Sequence, residues 1–373
     1  MIKIIKFSAL FLICFFSVET ANAQIKEIGA LLTGAQSDAD KLIPAYLKPY
    51  ASAFGADLSS GWYNTAKPHK LLGFDLTLSV SSALVPSSDK SFNVNSLNLN
   101  GKLTNGSPAI APTIAGSSAS SSNNPQLKYT QTINGNPYTI AEFNTPAGTG
   151  VGIVPAPVLQ LGIGLVKGTE VDFRYMPNLS FQNDLSVQLW GIGIKHSIKQ
   201  WIPGISMAPF FHLSVFAGYT KFTTDLKINY QPSELASEIG GGVDTVNITP
   251  SRYSNQQLQL LVNNFTGNII ASFDLPVVTF YGGVGLCYTT TTLKVNGTYP
   301  GANYNIAGKA VEVNDIYSIT NPINASMTSV GGSATRPRLN LGIKFTMAVI
   351  TFHIDYTKAN YNVFTAGLGI SFR

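Results

Sequence analysis

The dozen residues Asn362-Val363-Phe364-Thr365-Ala366-Gly367-Leu368-Gly369-Ile370-Ser371-Phe372-Arg373 decide the fold class. Phe364, Ala366, Leu368, Ile370 and Phe372 fall on one face of an extended chain, and Thr365, Gly367, Gly369 and Ser371 fall on the other. Roughly 10 residues, apolar on one side and small or polar on the other, match a strand that crosses a bilayer in a closed barrel.

The same alternation runs back along the chain. Ile350, Phe352, Ile354 and Tyr356 alternate with Thr351, His353, Asp355 and Thr357, and Leu339, Leu341, Ile343 and Phe345 alternate with Arg338, Asn340 and Lys344. Further runs occupy 277–296, 257–273, 207–229, 185–197, 171–175 and 158–166, and the first starts at Leu71, with Phe74, Leu76, Leu78 and Val80 opposite Asp75, Thr77 and Ser79. Short turns at 167–168, 274–276 and Ala348, and a moderate one at 198–206, alternate with long polar connections at 85–157, 230–256 and 297–335. Outer-membrane barrels pair short periplasmic turns with long external loops and, in bacteria, have even strand numbers. The turns define ten strands with both ends of the barrel in the periplasm. Weaker alternation near 91–104 and 126–143 can add strands only in pairs, so the range is 10–14, with 12 as the single expected value. The expected fold is all-β: a transmembrane antiparallel β-barrel over 71–373, its Ser-rich stretch Ser117 to Asn124 a mobile loop. Trp190, Trp201, Tyr219, Tyr281, Tyr288 and Tyr356 sit towards strand ends, where interfacial girdles form.

Composition agrees. Charged residues make up 12% of the chain, below the roughly 25% of soluble domains. Residues 1–23 read as a secretory signal peptide: Lys3 and Lys6, an apolar run from Phe7 to Val18, then Ala21-Asn22-Ala23 before Gln24. That run is too short to cross ~30 Å of hydrocarbon. Without Lys3, Lys6 and Glu19, the remaining chain carries 22 basic and 18 acidic residues and Cys287 alone, which excludes an internal disulfide. The positive charge is not clustered, so nucleic acid is not an expected partner. Expected partners are outer-membrane lipid, periplasmic chaperones and the barrel-assembly machinery of a Gram-negative bacterium.

Residues 24–70 differ from the rest. Ser37-Asp38-Ala39-Asp40 is a helix-start pattern, and Leu42, Ile43, Tyr46, Leu47, Tyr50 and Phe54 recur at helical spacing. Pro44 and Pro49 predict short, kinked helical pieces rather than one helix. With Gly61-Trp62-Tyr63-Asn64 after it, this segment is expected at the periplasmic mouth or inside the barrel, as a plug.

The stretches Ala39-Asp40-Lys41-Leu42, Gly61-Trp62-Tyr63-Asn64-Thr65-Ala66-Lys67-Pro68-His69, Val154-Pro155-Ala156-Pro157-Val158-Leu159-Gln160-Leu161-Gly162 and Gly367-Leu368-Gly369-Ile370-Ser371-Phe372-Arg373 resemble an uncharacterised family of Bacteroidota outer-membrane β-barrel proteins without assigned function. A helical N-terminal segment followed by a barrel is also similar in layout to the long-chain fatty-acid transporter family, with no shared motif. Architecture alone assigns no function.

No phosphate loop, paired-cysteine zinc pattern, His-Glu-x-x-His or Ca²⁺ loop is present, and no cofactor or metal is expected. Of the four histidines, His212 lies two residues from Ser214 and His353 two from Asp355, nearer ~7 Å than 3 Å along a strand. No catalytic triad is named, and an enzyme is not expected. Gly162, Gly164 and Gly168 ease curvature or let the N-terminal segment approach the wall. The inward residues Asp75, Asp172, Arg174, Lys344, His353 and Asp355, with Trp62 and Tyr63, are the candidates for lining the lumen or touching a solute. They support passage of a small neutral or hydrophobic solute through a partly plugged lumen. The alternatives are a structural barrel displaying its loops to a partner and, behind it, a lipid-modifying enzyme.

Overall fold

In the computed structural model the described residues are 31–32, 36–181, 185–239, 243–308, 310–327 and 334–372. The signal-peptide reading of 1–23 lies outside them. Ten antiparallel strands close into a barrel: β1 (Phe74–Leu84), β2 (Ile153–Gly164), β3 (Thr169–Phe181), β4 (Leu185–Ser197), β5 (Phe211–Lys227), β6 (Gln257–Asp274), β7 (Val278–Asn296), β8 (Thr335–Met347), β9 (Ile350–Lys358) and β10 (Asn362–Phe372). Each pairs with its neighbours in sequence, and β1 pairs with β10 from Phe74↔Phe372 to Leu84↔Asn362, so no wall edge is left open. A short outside strand, Ile323–Ser326, pairs with β7 at Thr292–Val295 beyond the ring.

The strand number corrects the expectation of 12. The alternating stretches in the first long loop do form strands, but Gln126–Ile133 pairs with Asn136–Asn144 and with Lys102–Leu103, away from the wall. Local alternation marks a half-buried strand without saying which body covers it.

Tight turns follow local chemistry at the short-turn end. Lys167 and Gly168 both take positive φ between β2 and β3, and Ala348 does so between β8 and β9. Burial alternates strictly along β10, with Phe364, Leu368, Ile370 and Phe372 exposed and Val363, Thr365 and Gly369 buried. Exposed side chains on the other strands are also apolar, among them Ile192, Ile269, Val284, Leu341 and Ile354. Rings bound this band. Tyr219 contacts both Trp190 and Phe265 towards one end, and Phe210 and Phe273 meet at the other. Eight residues from Phe265 to Phe273 on a strand tilted ~40° give a band about 20 Å tall, the scale of a bilayer core. Tyr281 is not part of this girdle. It is buried, because strand parity turns it inward to bond Asp355.

α1 (Gln36–Ser59) is a single helix, although Pro44 and Pro49 lie inside it. Pro49 has no N–H for the Ala45 carbonyl four residues before it, and the neighbouring Tyr46 carbonyl accepts from the Ile114 amide at 3.0 Å. The surrounding loops thus brace this turn with a contact that sequence periodicity does not reveal.

α1 begins among the long loops, not at the short-turn mouth. The Asp38 carboxylate accepts from the Asn100 and Gly101 amides at 2.9 Å each and from the Tyr129 hydroxyl at 3.0 Å. The segment then runs down the lumen to the start of β1 at the short-turn end. At the long-loop end Leu31, Leu32, Leu42, Ile43, Tyr46, Leu127, Tyr230, Leu258, Val295 and Tyr299 belong to one buried cluster. The loops, with the helix α2 (Pro232–Ile239) and a hairpin of Thr298–Asn305 with Ala310–Thr320, therefore form a folded cap around the helix.

Candidate functional site

All the inward candidates face the lumen. Trp62, Asp172, Arg174, Lys344, His353 and Asp355 are at most 5% exposed, and Tyr63 is buried beside them. They are brought together by residues 60–70, which descend from the end of α1 through the middle of the barrel.

The tightest contact is on β3. The Arg174 guanidinium carbon lies 3.6 Å from the centre of the Trp62 ring. Its Nη1 donates to the Leu58 carbonyl at 3.1 Å, its Nη2 to the Ser60 carbonyl at 2.8 Å, and its Nε to the Gln160 Oε1 at 2.9 Å. Gln160 Nε2 in turn donates to the Trp62 carbonyl at 2.9 Å and to Asp172 Oδ1 at 3.2 Å. Arg174 therefore satisfies carbonyls left over at the C-terminal end of α1 while stacking on the ring that follows.

The opposite side of the Trp62 seat has no side chains in the way. Gly193 on β4 and Gly218 on β5 are cross-strand partners, and a Cβ on either would stand 3.0 Å from the Trp62 ring. Phe216 closes the seat with its ring centre 5.3 Å from Trp62 and 5.8 Å from Tyr63. Arg338 approaches Tyr63 at 5.9 Å and donates to Asn268 Oδ1 at 2.8 Å.

Below Tyr63 the plug is held by polar groups. Lys344 Nζ donates to Asn64 Oδ1 at 2.9 Å, the Thr65 hydroxyl lies 3.2 Å from that of Ser272, and the Ser214 hydroxyl donates to the Ala66 carbonyl. Asp355 accepts from Tyr281 at 3.1 Å and from Asn340 at 2.8 Å. His353 is fully buried against Gly367, where a Cβ would sit 2.1 Å from the ring, and neither ring nitrogen has a protein partner among the described residues. Ser214 is engaged with the plug rather than poised beside His212, and Asp355 faces Asn340 and Tyr281 rather than His353, so neither pair is assembled for catalysis.

At the short-turn end His69 Nε2 meets Asp75 Oδ1 at 2.9 Å, and the His69 amide donates to Glu170 Oε2 at 2.7 Å. One ligand atom from each of His69, Asp75 and Glu170 lies within 4.8 Å of the others, a spacing a metal ion could use. Most of these atoms are already engaged: His69 Nε2 bonds Asp75, Lys195 pairs with Glu170 Oε1 and Thr77 donates to Asp75 Oδ2, while His69 Nδ1 has no partner among the described residues. The cluster reads as an ion-pair network fastening the plug to β1, β3 and β4.

Gln160, Glu170, Lys195 and Arg338 belong to the site beside the expected residues. Parity identifies all four: Gln160 shares a face with Gly162 and Gly164, Glu170 with Asp172 and Arg174, Lys195 with Gly193, and Arg338 with Asn340 and Lys344. Gly164 fits the expected close approach, since a Cβ there would stand 2.0 Å from the Lys70 carbonyl.

No curated protein matches the chain significantly. Among solved structures, it is similar to the outer membrane protease OmpT of Escherichia coli at 8% identity, over 81% of this chain and 96% of that one, with a TM-score of 0.27. It is similar to an outer membrane channel of Pseudomonas putida F1 at 6% identity, over 84% and 100%, with a TM-score of 0.29. It is also similar to the Ralstonia pickettii toluene transporter TbuX at 8% identity, over 82% and 90%, with a TM-score of 0.23. Likenesses this weak assign no chemistry. The family match is of another order: it runs over residues 1–372, and the chain belongs to the family of unknown function DUF6588.

Proposed function

We propose that this protein is an outer-membrane barrel of a Gram-negative cell that passes a small solute when its own N-terminal plug shifts. The short-turn end faces the periplasm and the capped end faces outward, by the loop asymmetry of such barrels. The observation that carries the reading is the character of the plug's contact with the wall. From Leu58 to His69 the plug is held mainly through hydrogen bonds to Arg174, Gln160, Ser214, Ser272, Lys344 and Glu170, over a glycine floor. A ten-stranded lumen is wider than side chains alone fill. With the plug moved aside, this wall is a hydrophilic bore rather than an exposed apolar core.

A tether tests this. The Thr65 and Ser272 hydroxyls are 3.2 Å apart, so the pair Thr65→Cys and Ser272→Cys places two thiols within bonding reach. In liposomes the reduced protein should admit small solutes and the oxidised protein should not. Equal flux in both states, or none in either and none after deleting residues 24–69, removes the reading.

A second reading has its own observation. The cap has a hydrophobic core running from Leu31 to Met327, so the loops are a folded surface able to hold a partner. Loss of a surface partner on loop deletion, with flux unchanged, favours display.

A further inference from the structure

Arg174 is 2% exposed, and it donates hydrogen bonds to two backbone carbonyls and an amide oxygen, all neutral. It makes no direct ion pair among the described residues, and the buried Asp172 carboxylate is joined to it only through Gln160, which bonds both. Buried guanidinium groups are ordinarily matched by an anion. The planar fork of Arg174 suits a carboxylate, yet here it is held by the plug's backbone.

What the plug presents at this spot has the outline of a small molecule. A flat bicyclic ring lies between the guanidinium and the glycine floor of Gly193 and Gly218, with Phe216 beside it. The carbonyl oxygens of Leu58 and Ser60 accept from that same guanidinium, and the Trp62 carbonyl accepts from Gln160. We propose that the Trp62 seat is a binding site for a flat aromatic carboxylate, and that the plug fills it as an internal stand-in. This rests on the reading of residues 60–70 as displaceable.

The chemistry favours exchange. A carboxylate accepting from Arg174 makes charge-assisted hydrogen bonds, roughly twice as strong as those to neutral carbonyls. An aromatic ring keeps the stacking on the guanidinium that a saturated ring of the same size loses. The two glycines admit a planar body without steric conflict, and β-substituted residues there would not. The ligand is thus defined by three features together: a planar ring, a carboxylate at its edge, and a thickness that fits between Arg174 and the strand floor.

The test uses the full-length protein in detergent with 2-naphthoate as probe. Trp62→Ala empties the seat and should bind 2-naphthoate at least tenfold more tightly than the unaltered protein, in which the stand-in competes. The same variant should prefer 2-naphthoate at least tenfold over 2-naphthalenemethanol and over decalin-2-carboxylate, and adding Arg174→Gln should abolish the preference. Equal binding of the alcohol would reveal a generic hole and overturn the proposal, as would indifference to Arg174→Gln. If Trp62→Ala does not fold, the unaltered protein still decides: 2-naphthoate should speed protease cleavage within residues 60–70 at least tenfold, and no acceleration overturns the proposal. Liposome flux separates the two readings. Binding without flux leaves the seat and removes passage, whereas flux without any preference for aromatic carboxylates leaves passage and removes the seat.

Discussion

Arg174 on β3 stacks 3.6 Å over the ring of Trp62, a residue 112 positions earlier in the chain, and binds the backbone on both sides of α1's last residue, Ser59. Replacing Arg174 with Ala removes this stacking and leaves the Leu58 and Ser60 carbonyls without their donor. Desolvated cation–π contacts and charged hydrogen bonds contribute on the order of 2 kcal/mol each. Because terms within one network do not add fully, the plug should open more readily by about 2–4 kcal/mol, read as faster amide exchange at residues 60–66, with exchange in β8 to β10 unchanged. Equal exchange across both regions would refute the clamp.

The glycines can be tested as a pair. Gly164→Ala sets a methyl 2.0 Å from the Lys70 carbonyl, a backbone atom that cannot swing aside, whereas Gly267→Ala on the lipid face meets nothing closer than 4.0 Å. Overpacking of this kind costs roughly 1–3 kcal/mol or more. Gly164→Ala should lower the unfolding midpoint or expel the plug, and Gly267→Ala should do neither. Urea titration of the two variants measures the contrast.

Leu341 is 60% exposed in the apolar band of β8. Leu341→Lys puts a charge against lipid and should destabilise the folded barrel by about 2–4 kcal/mol if the site is near the midplane. Asn340→Lys, facing the lumen one residue away, should disturb the plug instead. Folding titrations into bilayers distinguish the two, and a tolerated Leu341→Lys would refute the lipid assignment.

In the cap, the Asp315 carboxylate is held below the usual carboxylate range by hydrogen bonds from Thr249 first and then Tyr253. Its Oδ1 accepts from the Tyr253 hydroxyl at 2.8 Å and its Oδ2 from the Thr249 amide at 3.0 Å. A depressed acid stabilises the folded state above its unfolded value and loses that contribution as pH falls through its folded value. The tie between the loops at 228–256 and 297–334 should thus be intact at neutral pH and weaken below about pH 4. Amide exchange at Thr249 should rise on acidification, and Asp315→Asn should make it high and insensitive to pH.

The sequence carried the barrel because a period of two repeated over strand after strand has few other physical meanings. Parity assigned Asp75, Asp172, Arg174, Lys344, His353 and Asp355 to the interior. Three things escaped it. The helix through Pro44 and Pro49 persists with a carbonyl partner, the Ile114 amide, that lies 68 positions on from Tyr46. The strands at 126–133 and 136–144 pair with each other rather than with the wall, which no local pattern specifies. Arg174 binds backbone oxygens, and every residue has one of those, so composition cannot mark the clamp.

The chain's path favours one order of events. Residues leading into β1 occupy the bore, and β1 is zipped to β10, the two strands farthest apart in the wall's sequence. A ring sealed first would have to admit the N-terminal segment lengthwise past the wall residues Arg174 and Phe216. Closing the seam around a tail already in place avoids that passage, so that the barrel is wrapped onto its occupant, as a hoop is shut around a post.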